Sequence, residues 1–237
     1  MTTDTNVTVS APICVALDTP SPEETRALAA SLAGEVVAVK VGLTSFALGG
    51  AELVRDLVRA NDVFLDLKLH DIPAQVEGAV GAVVDLGVSI TTVHASGGRA
   101  MLQGAVNAAR GSDLKVVAVT VLTSLDDSDL EDLGITGPAQ ETVLRFADLA
   151  LSTGVHGLVC SPHEVAALRE RFGLHAHGGP FLVVPGIRPA GASQGDQRRT
   201  LTPKEALDAG ADLLVVGRPI TQAPDPVAAV RDIVSGL

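Results

Sequence analysis

The chain has 237 residues and a formal net charge of −11, and it is 46% hydrophobic but only 2% aromatic, with no Trp or Tyr. So acidic a surface repels nucleic acids and anionic membranes, and the shortage of aromatic rings removes the platforms on which single-stranded bases stack. The length supports one large core without a disulfide or structural metal, so an anionic small-molecule substrate would have to be met by a local cluster of Lys and Arg.

Residues 1–11 are polar and Thr-rich, lack the charged start and apolar stretch of a signal peptide, and are expected to form a flexible extension. No apolar run approaches the ~20 residues of a membrane helix, so a soluble, cytoplasmic protein is expected. The first apolar run covers residues 13–17. It is followed by a helix over 22–33, started by Ser21 as N-cap, Pro22 at the first helical position, and Glu23 and Glu24 near the positive dipole end. A second run (36–41) precedes a helix over 51–60, a third (63–67) one over 74–86, and a fourth (90–93) one over 99–109. The fifth run (116–121) leads to a helix over 139–153, and the sixth (157–160) to one over 162–172. The seventh (182–184) leads through a Gly/Ser/Gln-rich loop at 190–196 to a helix over 203–209. The eighth (213–216) is followed by a helix over 226–234.

Continuous apolar runs, rather than alternating ones, mark strands buried on both faces. Eight strand-then-helix units in a chain of this length predict a single α/β domain over 1–237, a (β/α)8 TIM barrel. An open doubly wound sheet is the alternative. Cys14 and Cys160 both lie in apolar runs and are expected to be buried free thiols.

Polar residues gather at the strand ends: Asp18, Lys40, Asp66 with Lys68, His94 with Ser96, Thr120 with Thr123 and Ser124, Ser161, Arg188 and Arg218. In a barrel these ends converge on one rim, where such enzymes keep their chemistry. Asp66 and Lys68 are two apart, so in a regular strand they share a face while Leu65, Leu67 and Leu69 take the other. Asp71 follows beyond the strand, and Lys40 ends the neighbouring one. Charges that interrupt apolar strands are costly to desolvate, which argues against a merely structural salt-bridge network. A fixed carboxylate repels a substrate carboxylate, and a lysine beside it can stabilise the carbanion left by CO2 loss and deliver a proton. At the seventh and eighth strand ends, Pro185-Gly186-Ile187-Arg188-Pro189 and Gly217-Arg218-Pro219 pair glycine with arginine, a pattern suited to phosphate. Gln197 in the nearby loop could reach the same group. His175 and His177 read as surface residues, and His94 either shapes the pocket floor or is a satisfied structural histidine. No His/Cys/Asp group has convincing metal-ligand spacing.

These motifs resemble, over essentially the whole chain, the orotidine 5'-monophosphate decarboxylase family in its bacterial form. The match is carried by Val-Ala-Leu-Asp18, Lys40-Val-Gly, Asp66-Leu-Lys68-Leu-His-Asp71-Ile-Pro, Val93-His-Ala-Ser-Gly-Gly, Val121-Leu-Thr-Ser, Pro185-Gly-Ile-Arg188-Pro, Gly195-Asp-Gln-Arg-Arg and Gly217-Arg218-Pro. The resemblance implies a cofactor-free and metal-free decarboxylase of orotidine 5'-monophosphate, acting as a homodimer. It implies that Lys68 is the proton donor, that Asp66 faces the substrate carboxyl group, and that Asp71 acts across the dimer interface, with Ile72 beside it as a substrate contact. Asp18 and Lys40 look like ribose ligands, with Lys40 also in the charge network. Thr123 and Ser124 resemble the pyrimidine contacts, and Arg188, Gln197, Gly217 and Arg218 the phosphate and loop contacts, with Gln197 on a closing loop. One departure stands out: the family usually has Asn-Thr after Ile-Pro, where this chain has Ala74-Gln75. The Asp-x-Lys-x-x-Asp signature is similar to that of Mg2+-dependent sugar-phosphate relatives as well, but those carry Glu at the position of Lys40. A non-catalytic sugar-phosphate-binding barrel would be expected to lack a member of the charge set, and none is lost.

Overall fold

The computed structural model describes residues 11–189 and 200–237. The expected N-terminal extension, the 190–196 loop and Gln197 therefore lie outside the described residues, apart from Ala11.

Eight parallel strands close into a barrel in sequence order, β1-β2-β3-β4-β5-β6-β7-β8, with β1 returning to pair with β8. They are β1 (Ile13–Ala16), β2 (Ala38–Val41), β3 (Val63–Leu69), β4 (Ile90–His94), β5 (Lys115–Val119), β6 (Gly157–Val159), β7 (Phe181–Val184) and β8 (Leu213–Val216). The (β/α)8 architecture is thus present, and the open sheet is excluded by closure.

The helices are α1 (Pro22–Leu32), α2 (Leu43–Leu57), α3 (Pro73–Val84), α4 (Gly98–Ala109), α5 (Asp127–Asp132), α6 (Ala139–Leu151), α7 (Val165–Phe172), α8 (Pro203–Asp208), α9 (Arg218–Thr221) and α10 (Pro226–Ser235). Several start as their sequence dictates. The Ser21 side chain accepts the Glu24 N–H at α1, Thr202 does the same for Glu205 at α8, and Asp225 for Ala228 at α10, each with Pro in the first turn.

Period-2 alternation divides the interior in two. Cys14, Ala16, Ala38, Phe64, Ile90, Val117, Val183, Leu213 and Val215 fill the barrel's inside. Their odd-even partners, such as Ile13, Val15, Val39 and Leu65, pack outward against the helices. Both cysteines are buried and neither is in a disulfide.

Some boundaries differ from expectation. The second helix begins at Leu43 rather than 51, because two helical pieces join across a kink at Gly50, whose φ is 57°. The fifth strand ends at Val119, short of the expected 121, and α5 and α9 are additional. The third strand runs on to Leu69, through an irregularity that matters for the site. Among the described residues, no helix is long and apolar enough to cross a membrane.

Candidate active site

At the carboxyl ends of the strands lies a cavity of about 650 Å3. Its lining includes Asp18, Lys40, Asp66, Lys68, Thr123, Arg188, Gly217 and Arg218 from the expected set. Its apolar wall includes Phe64, Val119, Val159, Cys160 and Val183, and the mouth adds Glu24, Thr221 and Gln222.

The charged side of the cavity is a chain of alternating sign. Lys40 Nζ lies 3.6 Å from Asp18 Oδ2 and 3.4 Å from Asp66 Oδ2. Lys68 Nζ donates to that same Asp66 Oδ2 at 2.8 Å. The register explains the assembly. Ala16 on β1 is level with Lys40 on β2, and Lys40 with Phe64 on β3, so Asp18 and Asp66, two residues further on, rise beside the ammonium. Lys40 and Asp66 are themselves buried, at 9% and 7% exposure. Lys68, by contrast, keeps 31% of its side chain exposed toward the opening.

Burial works against the Lys40 ammonium, but Asp66 and Asp18 outweigh it and its pKa lies above the usual lysine value. Burial likewise opposes the Asp66 carboxylate. Lys40, Lys68 and hydrogen bonds from Lys68 and Thr92 reverse that, and its pKa lies below the usual carboxylate value. Both groups are therefore held charged. Beneath them, burial pushes the Cys14 thiol up to about 12 despite the opposing pull of Lys40, so it stays a neutral core residue.

The convergence of Asp66 and Lys68 does not come from regular strand alternation. Leu65 is level with Thr91 but Leu69 with Val93, so β3 carries extra residues against β4. Within this bulge Lys68 has φ 50°, the only positive value at a non-glycine position among the described residues. The sequence spacing thus gave the right facing for a different reason. The outward placement of Leu67 and Leu69 does hold: both are half-buried against the outer core.

Other expected residues lie elsewhere. Asp71 and Ile72 are exposed, Ile72 at 63%, and neither lines the chain's own cavity. The Asp71 carboxylate accepts the Ile72 N–H at 2.6 Å. Ser124 is exposed, because the turn after β5 gives Thr123 to the cavity and Ser124 to solvent. His94 stacks edge-on to His70 with ring centroids 5.5 Å apart and is absent from the cavity lining, which favours the structural reading. Burial and then the neighbouring His70 and Lys68 lower its pKa. His175 and His177 are exposed, as expected.

Sequence reasoning overlooked Thr92. Its buried hydroxyl accepts the Lys68 N–H at 2.8 Å and donates to Asp66 Oδ1 at 2.9 Å. Two threonines in an apolar strand read simply as β-formers; the usable signal was that Thr92 shares the inward face of Ile90.

Fold and site together define a (β/α)8-barrel enzyme with a strand-end cleft of alternating carboxylates and ammoniums. Residues 11–233 match the family model described as orotidine 5'-phosphate decarboxylase / HUMPS family. An orotidine 5'-phosphate decarboxylase of Anaeromyxobacter sp. (strain K) is 52% identical over 226 residues, 95% of this chain and 97% of that protein. One from Thermobifida fusca is 48% identical over 231 residues, covering 97% of each chain. The crystal structure of orotidine 5'-phosphate decarboxylase from Lactobacillus acidophilus superposes with a TM-score of 0.82 at 38% identity, over 94% of this chain and 97% of that one. The chain belongs to the orotidine 5'-phosphate decarboxylase / HUMPS family.

Proposed function

We propose that this chain is a carboxy-lyase that converts orotidine 5'-monophosphate to uridine 5'-monophosphate and CO2, the last step of de novo pyrimidine nucleotide synthesis, in the cytoplasm and without a cofactor. The observation that carries the reading is the alternating run Asp18–Lys40–Asp66–Lys68 on one side of the cavity, buried at its centre on Lys40 and Asp66, in a chain of this family. Asp66 is held ionised, so a substrate carboxylate brought within ~4 Å meets repulsion of about 4 kcal/mol at an effective dielectric of ~20. Departure of neutral CO2 relieves it. The developing carbanion at C6 then lies next to the Lys68 ammonium, which stabilises it and protonates it. The carboxylate carbon leaves with its two oxygens as CO2, the bonding pair stays on C6, and one proton from Nζ completes the product.

The remaining assignments follow the cavity's two ends. Asp18 and Lys40 bind the ribose, and Thr123 meets the pyrimidine edge, with Ser124 able to join it only if the turn after β5 swings inward on binding. Arg188, Gly217 and Arg218 hold the phosphate at the ends of β7 and β8, with Gln197 reaching it from its loop. Within one chain the network contains two carboxylates and two ammoniums. Asp71 of the partner subunit in a homodimer supplies a third carboxylate beside Lys68, with Ile72 next to it. In the Mg2+-dependent reading a divalent cation would need open carboxylate oxygens, yet Lys40 already stands between Asp18 and Asp66.

The test is CO2 release from orotidine 5'-monophosphate with excess chelator, for the native protein and for Lys68→Ala. Turnover by the native chain and a loss of at least about 1,000-fold in kcat for the variant are expected. No turnover, or turnover restored only by Mg2+, would refute the reading; so would a Lys68→Ala protein with most of its activity.

A further inference from the structure

Thr92 touches both halves of the Asp66–Lys68 pair through a single atom. It lies on β4 with 0% exposure. Its Oγ1 accepts the backbone N–H of Lys68 at 2.8 Å and donates its own hydrogen to Asp66 Oδ1 at 2.9 Å. One donor and one acceptor capacity of the hydroxyl are therefore both in use.

The location is where the barrel departs from regularity. In an unbroken parallel ladder the N–H of a strand residue goes to a carbonyl of its neighbour. At this level β3 has four steps, Leu65 to Leu69, against two on β4, Thr91 to Val93. Lys68 takes φ 50°, a conformation unfavourable for a residue that bears a side chain. The hydroxyl of Thr92 stands in as acceptor and holds that backbone. On the carboxylate, both ammoniums approach Oδ2, Lys40 at 3.4 Å and Lys68 at 2.8 Å. Oδ1 is held by Thr92, so rotation of the carboxylate about its own axis is opposed by the hydroxyl on one oxygen and the lysines on the other.

We infer that Thr92 is a positioning residue for the decarboxylation, its hydroxyl fixing both the rotation of the Asp66 carboxylate and the backbone from which Lys68 reaches the substrate. This rests on the roles given to Asp66 and Lys68 above. The site needs the pair placed to a fraction of an ångström, and a displacement of ~1 Å can cost about 100-fold in rate. Thr92 has no place in the cavity lining, so it acts on the reaction only through the pair.

The experiment compares Thr92→Val, which keeps the shape and removes the hydroxyl, with Thr92→Ser, which keeps the hydroxyl. Thr92→Val should lower kcat by about 30-fold or more while KM moves less than about threefold, and Thr92→Ser should stay within about threefold of the native kcat. Should Thr92→Val fail to fold, Thr92→Ala against Thr92→Ser makes the same comparison, since both lose the methyl and only one has the hydroxyl. A Val or Ala variant within twofold of native kcat overturns the inference, as does a Ser variant as slow as its hydroxyl-free counterpart, or a loss carried by KM. Lys68→Ala measured alongside separates the levels. If it is inactive while Thr92→Val is fully active, this inference alone fails; if it retains most turnover, the underlying mechanism fails and takes the inference with it.

Discussion

Individual residues in the site are constrained by where their neighbours' charged groups stand, and Gly42 shows this simply. A Cβ built there would lie 2.6 Å from Asp18 Oδ1 and 3.0 Å from Lys40 Nζ. Its φ of −92° is open to any residue, so the requirement is space and not conformation. Both obstructing atoms are the ends of side chains, and the fold can accommodate a methyl by swinging them aside. The site cannot, because Asp18 and Lys40 are the proposed ribose ligands and Lys40 also holds Asp66. Gly42→Ala is therefore expected to leave thermal stability within about 1 kcal/mol of native while raising KM roughly tenfold or more. Paired melting curves and steady-state kinetics check it. An unchanged KM would mean that Asp18 and Lys40 do not need their observed positions, whereas an unfolded variant would make Gly42 a structural residue.

Between elements, a dense polar tie lies at the opposite rim from the cavity. Arg169 on α7 donates from Nε to Gly210 O at 2.8 Å, and from Nη1 to Gly173 O at 3.0 Å and Pro180 O at 2.8 Å. Its Nη2 meets Asp212, whose carboxylate also accepts the Leu182 N–H at 2.6 Å. One guanidinium thus binds α7 to the segments that enter β7 and β8, and its side chain is only 7% exposed. Arg169→Met would strand those carbonyls and the carboxylate, a loss of about 3 kcal/mol or more. The expected result is a Tm lower by about 10 °C with kcat little changed at a permissive temperature. A variant as stable as the native chain would show that water satisfies these groups as well as Arg169 does. None of this tie was legible in the sequence, because Arg169 sits in an ordinary amphipathic helix and its partners are backbone atoms 4 to 41 residues away and a carboxylate 43 residues away. The strands were legible, since an apolar run buried on both faces needs no knowledge of its neighbours. What failed were details settled by tertiary context. The second helix, expected over 51–60, begins at Leu43 because a kink at Gly50 lies inside it. The bulge at Lys68 has no sequence mark, because Asp-Leu-Lys-Leu fits a regular strand equally well, and only the β4 register reveals the extra residues.

At the scale of the whole molecule, an enzyme of net charge −11 is to bind an anion, and the distribution of charge resolves the conflict. The cavity lining carries four cationic side chains (Lys40, Lys68, Arg188, Arg218) against three acidic ones (Asp18, Glu24, Asp66), one net positive charge in a strongly negative protein. Asp71 is outside that balance. It follows β3 by two residues, yet it is exposed, absent from its own cavity and bonded to its neighbour's N–H. A carboxylate so close in sequence to Lys68 and still apart from it is accounted for if it completes the cavity of a second copy. Each site would then draw Asp66 and Lys68 from one chain and Asp71 from the other, an arrangement that two-fold symmetry repeats. The consequence is measurable by subunit mixing. Lys68→Ala and Asp71→Ala should each lose nearly all activity as pure proteins. After unfolding and refolding together in equal amounts, about half of the dimers are hybrids in which one site carries both lesions and the other none, so about a quarter of native activity should return. Size-exclusion chromatography establishes that the mixed species is a dimer. A mixture no more active than the two parents averaged would confine Asp71 to its own chain and remove it from the shared site.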